Sequence, residues 1–162
     1  MINCVVAVEQ GQGIGFKGIM PWPRLVGDMK WFKKLTTGHV VVMGSTTWNS
    51  LPGPLSDRIN VVISSKSHVG ATKCCPSPAQ AITECKIEYP NKDIFIIGGQ
   101  ILYDSMMPEI DKFYVTEIDA SYQCDKHFNL AFVKEHFKSI AEHAKYTTLE
   151  SPVSYTIKEY SK

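Results

Sequence analysis

The chain has 162 residues, of which 44% are hydrophobic and 20% are charged, and its formal net charge is +1. This length and composition predict a single globular domain over residues 1–162 with a sizeable core. The small net charge argues against a nucleic-acid-binding surface. The sequence has no apolar stretch long enough to cross a membrane and no secretion signal at Met1, so we expect a cytoplasmic protein with no membrane partner.

In chain order, nine segments carry strand or helix patterns. They are a strand at Cys4 to Val8, a helix at Asp28 to Leu35, strands at His39 to Met43 and Ile59 to Ile63, a helix at Ser77 to about Cys85, a strand at Asp93 to Ile97, a helix at Gln100 to Met107, and strands at Phe113 to Thr116 and Tyr155 to Lys158. The first four strands are continuous β-branched runs, typical of a sheet covered on both faces. The last two mix polar and apolar residues, as antiparallel strands do. The sheet is therefore predicted to be mixed.

The cysteines predict no disulfide framework. Their number is odd and they form no CxxC pair, which fits a reducing compartment better than an oxidising one. We expect them to be inert or buried rather than metal-binding or redox-active. The five histidines are scattered along the chain, so no metal site is expected.

The first long loop, between Glu9 and Leu25, contains a literal GxGxxG pattern from Gly13 to Gly18. A dinucleotide-binding fingerprint needs its third glycine in an opening helix. Here Pro21 and Pro23 follow at once, and proline removes backbone donors and disfavours a helix. The loop is better interpreted as a glycine-hinged flap beside a site, and the alternative is a merely structural loop.

Two glycine turns each follow a buried strand and precede a helix, at Gly44 and at Gly98-Gly99. Such turns direct backbone N–H groups and the positive end of a helix dipole toward an anion. Nearby hydroxyls and a cation, from Ser45, Thr46, Thr47, Ser64, Ser65 and Lys66, could bind further phosphate oxygens. Together the turns favour a dinucleotide. The alternative for each turn alone is that Gly, Ser and Thr are common turn and cap residues.

One acid lies among apolar residues. Asp28 and Phe32 are four residues apart and share a helix face. If that face lines a cleft, desolvation would raise the pKa of the carboxyl and suit it to proton chemistry or to binding a polar heterocycle. The competing explanation is that Asp28 caps the helix, and on the local sequence alone this explanation is favoured.

Taken together, these motifs resemble dihydrofolate reductase. The residues that carry the resemblance keep the order and nearly the spacing of the family from Met1 to about Phe128. They are Gly13-Ile14-Gly15, Met20-Pro21-Trp22, Asp28 with Phe32-Lys33 and Thr36, Val42-Met43-Gly44 with Thr47-Trp48, Leu55 with Arg58-Ile59-Asn60, Ile97-Gly98-Gly99 with Tyr103, and Thr116 with Ile118-Asp119.

The resemblance implies an α/β fold of three layers. Its centre would be an eight-stranded, mostly parallel mixed sheet with an antiparallel C-terminal strand, flanked by about four helices. The implied reaction is the NADPH-dependent reduction of 7,8-dihydrofolate to 5,6,7,8-tetrahydrofolate, with hydride transfer to C6 and protonation at N5, in support of one-carbon metabolism and thymidylate synthesis. The implied partners are dihydrofolate and antifolate inhibitors, and the chain would be a monomer.

The resemblance also implies residue roles. Asp28 would bind the 2-amino group and N3 of the pterin and assist protonation at N5, with support from Thr116, while Arg58 would pair with the glutamate α-carboxylate. Met20 and Trp22 complete the catalytic set. The other implied substrate-binding residues are Val5, Val6, Met29, Phe32, Lys33, Ser50, Leu51, Leu55 and Ile97. The implied cofactor-binding residues are Ala7, Gly13, Ile14, Gly15, Gly18, Ile19, Met20, Gly44, Ser45, Thr46, Thr47, Ser64, Ser65, Lys66, Ile97, Gly98, Gly99, Gln100, Ile101, Leu102 and Tyr103. The peptide bond between Gly98 and Gly99 would be cis.

Two departures from the family pattern matter. Five residues, Pro23 to Gly27, separate Trp22 from the acid, where many bacterial members have four. Ser45 stands where many members carry a basic residue beside the adenosine phosphate. The loss of that cation would weaken the preference for NADPH over NADH unless Lys66 compensates, and we expect NADPH to be preferred by a smaller margin than usual.

Two other functions remain open at this point. The related reductase domain of riboflavin synthesis shares the fold and the cofactor, but Pro21-Trp22 with Asp28 and Arg58 is the combination that a folate needs. A non-catalytic binding protein could also retain the fold, although the intact acid, arginine and glycine turns argue against it.

Overall fold

The computed structural model describes residues 1–162, which form ten strands and five α-helices. The strands are β1 (Ile2–Val8), β2 (Gly13–Gly15), β3 (Val40–Gly44), β4 (Ile59–Ile63), β5 (Lys73–Cys75), β6 (Ile94–Ile96), β7 (Lys112–Ile118), β8 (Lys126–His127), β9 (Ser139–Tyr146) and β10 (Tyr155–Ser161). The helices are α1 (Val26–Thr36), α2 (Ser45–Ser50), α3 (Pro78–Glu88), α4 (Gln100–Met106) and α5 (Leu130–His136). None of the helices is both long enough and apolar enough to span a bilayer.

Eight strands form the central sheet in the order β5-β4-β3-β6-β1-β7-β10-β9. Every neighbouring pair from β5 to β7 is parallel, whereas β10 is antiparallel to both of its neighbours. The predicted mixed sheet with an antiparallel C-terminal strand is therefore confirmed. The remaining strands, β2 and β8, pair with each other in a separate antiparallel ribbon.

The predicted elements are present, with shifted ends. α1 begins at Val26, two residues before the expected start, and α3 continues past Cys85 to Glu88. Ser77 caps α3 by accepting a hydrogen bond from the backbone N–H of Gln80, with Pro78 at the first helical position. Pro108 does not directly end α4, because a 3₁₀ turn over Met107–Glu109 follows the helix. α5 is a fifth helix beyond the roughly four that were implied.

The sheet is covered on both faces, which explains its continuous apolar strands. One face carries a core of 25 buried residues that includes side chains of α3, α4 and α5. The other face carries two smaller clusters, centred on Val41 and Phe95 and on Trp22 and Tyr155, with α1 and α2 packed nearby. All five cysteines are free thiols, three of them buried. The smaller clusters leave part of α1 uncovered, and the candidate site lies there.

Candidate active site

Polar loops follow three neighbouring strands at one edge of the sheet. β4, β3 and β6 lie side by side and run parallel, so their carboxyl ends meet at the same edge. Beyond them come Ser64 to Lys66, then Gly44 with the start of α2, then Gly98-Gly99 with the start of α4. In parallel sheets this edge is where ligands bind. The predicted cofactor residues of these three loops therefore form one continuous row.

The two glycine turns touch each other. The backbone N–H of Gly44 donates to the carbonyl oxygen of Gly98 at 2.8 Å, and a Cβ at Gly44 would lie 3.8 Å from that oxygen. The Gly98-Gly99 peptide is cis, as the resemblance implied. Thr47 and Tyr103 enclose Gly98, because their hydroxyl oxygens would lie 3.4 and 3.3 Å from a Cβ there. The backbone of both turns is thus close-packed.

Thr116 holds the carboxylate of Asp28. Its Oγ1 donates to Asp28 Oδ1 at 2.5 Å, across 88 residues of sequence, and joins α1 to β7. Burial raises the pKa of Asp28, and the hydrogen bond from Thr116 lowers it by a smaller amount, so the pKa stays above its ordinary value. An acid with a raised pKa beside a cleft is the arrangement that general acid chemistry requires.

Asp28 does not cap its helix. The N-cap residue is Leu25, which makes no side-chain cap, and Asp28 lies in the first turn with its carboxylate directed to Thr116 instead. The alternative explanation of Asp28 as a capping residue is therefore wrong.

Apolar side chains around Asp28 are only partly covered, unlike those of the core. Thr36 is the only fully buried residue of α1, and Met29 is 48% exposed. Half-buried side chains of the same face come from β1, α1, the α2–β4 loop and the end of β6: Val5, Ala7, Phe32, Leu51, Leu55 and Ile97. Partly exposed apolar side chains on the sheet face that carries Asp28 are typical of a binding surface for an apolar ring system.

Two predicted binding residues have their side chains elsewhere. Val6 is buried in the core on the opposite face of β1 from Val5, because side chains alternate along a strand. Leu102 is buried in the same core, on the inner side of α4. Neither side chain can line the cleft, and only the backbone of these residues is available to a ligand.

Arg58 lies at the far end of α1 from Asp28. Its Nε donates to the carbonyl oxygen of Ser56 at 2.8 Å, and its Nη1 donates to Thr36 Oγ1 at 3.2 Å. The guanidinium carbon is 5.9 Å from the centre of the Phe32 ring. These contacts use only part of the five N–H donors of an arginine. The rest can bind a carboxylate, with Asp28 and Arg58 at opposite ends of one apolar wall.

The other predicted polar residues of the site differ in whether their side chains already make hydrogen bonds within the protein. Lys33 and Lys66 are exposed, and Ser65 is exposed beside Lys66. The Ser50 hydroxyl is turned back onto the Thr47 carbonyl oxygen at 2.6 Å. Gln100 accepts from the backbone N–H of His127 at 2.8 Å, so its side chain is already engaged.

The glycine-rich loop is a paired flap. Its strand β2 pairs with β8, and it then turns back at Lys17 and Gly18, whose positive φ angles of 50° and 84° suit a tight hairpin. Beyond the turn, Ile19 and Met20 are 68% and 62% exposed. Trp22 is buried against Tyr122. The tip of the flap is therefore exposed between two anchored ends.

The comparisons with known proteins agree with this geometry. The profile of one family, dihydrofolate reductase, matches residues 1–162. The chain belongs to the dihydrofolate reductase family. It is therefore an enzyme of the oxidoreductase class.

Relatives include a viral dihydrofolate reductase of Saimiriine herpesvirus 2 (strain 488), 36% identical to all of this chain over 85% of the viral protein. A dihydrofolate reductase of Bacillus subtilis (strain 168) is 28% identical over all of this chain and 95% of the relative. One from Staphylococcus aureus (strain MSSA476) is 35% identical over 78% of this chain and 77% of the relative.

Two residues that support the site were not predicted. Glu9 is buried at the base of the flap and accepts from the backbone N–H groups of Gly13 and Tyr122, at 2.7 and 3.2 Å. Burial alone would raise the pKa of Glu9, but the backbone hydrogen bonds outweigh it and the pKa is lowered. Asn60 binds the backbone of Leu55 and Arg58 and holds that loop against the cleft. The available signals were a polar residue directly after an apolar strand for Glu9 and a polar residue within one for Asn60.

Proposed function

We propose that the chain reduces 7,8-dihydrofolate to 5,6,7,8-tetrahydrofolate with NADPH as the hydride donor. The observation that carries the proposal is the half-buried carboxylate of Asp28, which Thr116 binds at one end of α1, with Arg58 bound to Thr36 at the other end of the helix. The chain would work as one domain, residues 1–162, and as a monomer in the cytoplasm, in support of one-carbon metabolism and thymidylate synthesis.

The cleft suits a folate from end to end. The carboxylate of Asp28 would accept hydrogen bonds from the 2-amino group and N3 of the pterin and assist proton delivery to N5. The apolar wall that includes Phe32 and Leu55 would enclose the flat rings and exclude water. At the other end the free N–H groups of Arg58 would pair with the α-carboxylate of the glutamate, a task that suits the planar guanidinium.

The residues at the sheet edge suit a dinucleotide phosphate. The hydrogen-bond donors at this edge are the first backbone N–H groups of α2 and α4, the hydroxyls of Ser45 to Thr47 and of Ser64 and Ser65, and the ammonium group of Lys66. This set is matched to phosphate oxygens. A bound NADPH supplies the hydride. Ala7, Ile14 and Tyr103 would border the nicotinamide, and the flap tip at Met20 would close over it and keep water out.

The test is the consumption of NADPH by the purified chain with dihydrofolate, followed by absorbance. A parallel reaction uses a ribosylaminopyrimidine, which the related riboflavin-pathway reductases accept. We expect turnover with dihydrofolate alone. Turnover with the ribosylaminopyrimidine alone would instead identify the chain as a reductase of riboflavin synthesis. No turnover with either substrate would favour a binding protein that retains the fold.

A further inference from the structure

Two tyrosines of the C-terminal hairpin, β9 and β10, pack against the first turn of α1. Tyr146 and Tyr155 are partners across β9 and β10, and their rings stack with centroids 4.7 Å apart and planes 20° apart. Both lie against Gly27. A Cβ at Gly27 would be 2.4 Å from Cζ of Tyr146 and 2.6 Å from Oη of Tyr155. Only glycine permits this approach, so Gly27 is part of a built contact rather than a random helix breaker.

The hydroxyl of Tyr155 acts where a helix cap is missing. The first backbone N–H groups of a helix have no partner within the helix, and Leu25, the N-cap residue of α1, makes no side-chain cap. Tyr155 Oη accepts the backbone N–H of Asp28 at 3.2 Å, across 127 residues of sequence. Tyr155 is 2% exposed, so water cannot easily replace it. A phenol from the last strand thus supplies the cap.

Strand β7, the other neighbour of β10, holds Asp28 at a second point. In the register of β10 on β7, Tyr155 is opposite Ile118 and Ile157 is opposite Thr116. Tyr155 therefore binds the backbone of Asp28 from one strand, while Thr116 binds its carboxylate from the neighbouring strand. Two attachments from one rigid sheet fix both the position and the orientation of the acid.

We propose that Tyr155 is a positioning residue for Asp28, which it holds at the angle where Thr116 can bind the carboxylate, and that Gly27 exists to admit it. The inference rests on the proposed function of Asp28. Tyr155 does not touch the substrate, and it acts through the first turn of α1. Its loss would let that turn shift, and small misplacements of a reacting group lower the rate of the chemical step.

The test variant is Tyr155→Phe, which keeps the ring and removes only the oxygen. The matched control is Tyr160→Phe. Tyr160 is on the same strand, is 1% exposed and donates to Glu117 Oε2 at 2.6 Å, but it packs in the core on the other face of the sheet. Both changes delete one buried, hydrogen-bonded hydroxyl, so a general loss of stability would affect both variants alike.

Two readouts apply. By NMR hydrogen exchange, the amide of Asp28 should lose protection in Tyr155→Phe and keep it in Tyr160→Phe. In single turnover, Tyr155→Phe should lower the rate by about tenfold and move the pH profile of the rate, whereas Tyr160→Phe should change neither. Equal protection of the Asp28 amide in parent and Tyr155→Phe, or equal losses of rate in both variants, would overturn the proposal.

A second variant keeps the test decisive if Tyr155→Phe does not fold. Gly27→Ala retains both tyrosines, but the added Cβ forces their rings away from α1, so it should lower the same amide protection and the same rate. Unchanged protection in Gly27→Ala would overturn the proposal. Asp28→Asn is assayed in parallel. If that variant turns over at the parental rate, the proposed role of Asp28 fails, while the exchange experiment still decides whether Tyr155 holds the helix turn.

Discussion

The Oγ1 of Thr116 donates to Oδ1 of Asp28 at 2.5 Å, and this bond ties the acid of α1 to the central sheet. The bond stabilises the charged carboxylate, whereas the burial of Asp28 destabilises it. Opposed influences of this kind set the pH range in which an acid can work. Thr116 is therefore expected to tune the proton chemistry as well as the geometry.

Replacing Thr116 by valine keeps the shape of the side chain and removes the donor. Burial is then unopposed, and the pKa of Asp28 rises further. We expect the inflection of the pH profile of the hydride-transfer rate to move to higher pH, measured in single turnover across a pH series. Thr116→Ser retains the hydroxyl and should stay close to the parent. A Thr116→Val profile that moves to lower pH, or not at all, would contradict the assigned hydrogen bond.

Asp28 should also affect stability. Because its pKa is raised in the folded protein, the folded state binds a proton more tightly than the unfolded chain does. Stability then falls as the pH rises from the ordinary carboxyl range through the raised pKa. Asp28→Asn has no such loss, so the variant should gain stability relative to the parent as the pH increases through this window. Urea unfolding of both proteins at acid and neutral pH measures the difference, and a constant difference would count against the raised pKa.

Arg58 should matter for the glutamate end of the substrate alone. Arg58→Leu removes a charge-assisted pair of about 1.5–3 kcal/mol, so KM for dihydrofolate should rise about 10–100-fold with a smaller effect on kcat. A dihydropterin without the glutamate tail is the matched control substrate. Parent and variant should reduce it with similar KM. A similar rise in KM for both substrates would place Arg58 elsewhere in the binding scheme.

We expect the cofactor preference to depend on two positions that follow neighbouring strands, Ser45 and Lys66. Ser45 provides no cation, and Lys66 is exposed on the next loop. We expect the ratio of kcat/KM for NADPH over NADH to exceed one in the parent, to fall in Lys66→Ala and to rise in Ser45→Arg. Charge-assisted bonds to phosphate are the reason. Equal kcat/KM values for the two cofactors in the parent would contradict the preference for NADPH.

Local patterns were sufficient for the central strands and for the helix face shared by Asp28 and Phe32, whereas the other residues of the candidate site were implied by the resemblance. β4 spans Ile59–Ile63 as predicted, and Ser77 caps α3, because these features depend on neighbouring residues. No local pattern predicted β9, which the resemblance implied only as one of eight strands. Its residues are mostly polar and exposed at the edge of the sheet, so no run of apolar residues marks it.

Long-range contacts explain the rest. Glu9 binds Tyr122, and Tyr155 binds Asp28, across more than a hundred residues in each case. No local periodicity encodes such pairs. The placement of Val6 was different, since alternation along β1 already puts its side chain on the face opposite Val5.

The most direct test of the account is the fate of deuterium from NADPH labelled at the transferable position, in single turnover with dihydrofolate, for the parent and for Asp28→Asn. The account predicts that the parent places the label at C6 of tetrahydrofolate and that Asp28→Asn does so about a hundredfold more slowly at neutral pH, while remaining folded. Label absent from C6 in the parent, or equal rates in the two proteins, would contradict it.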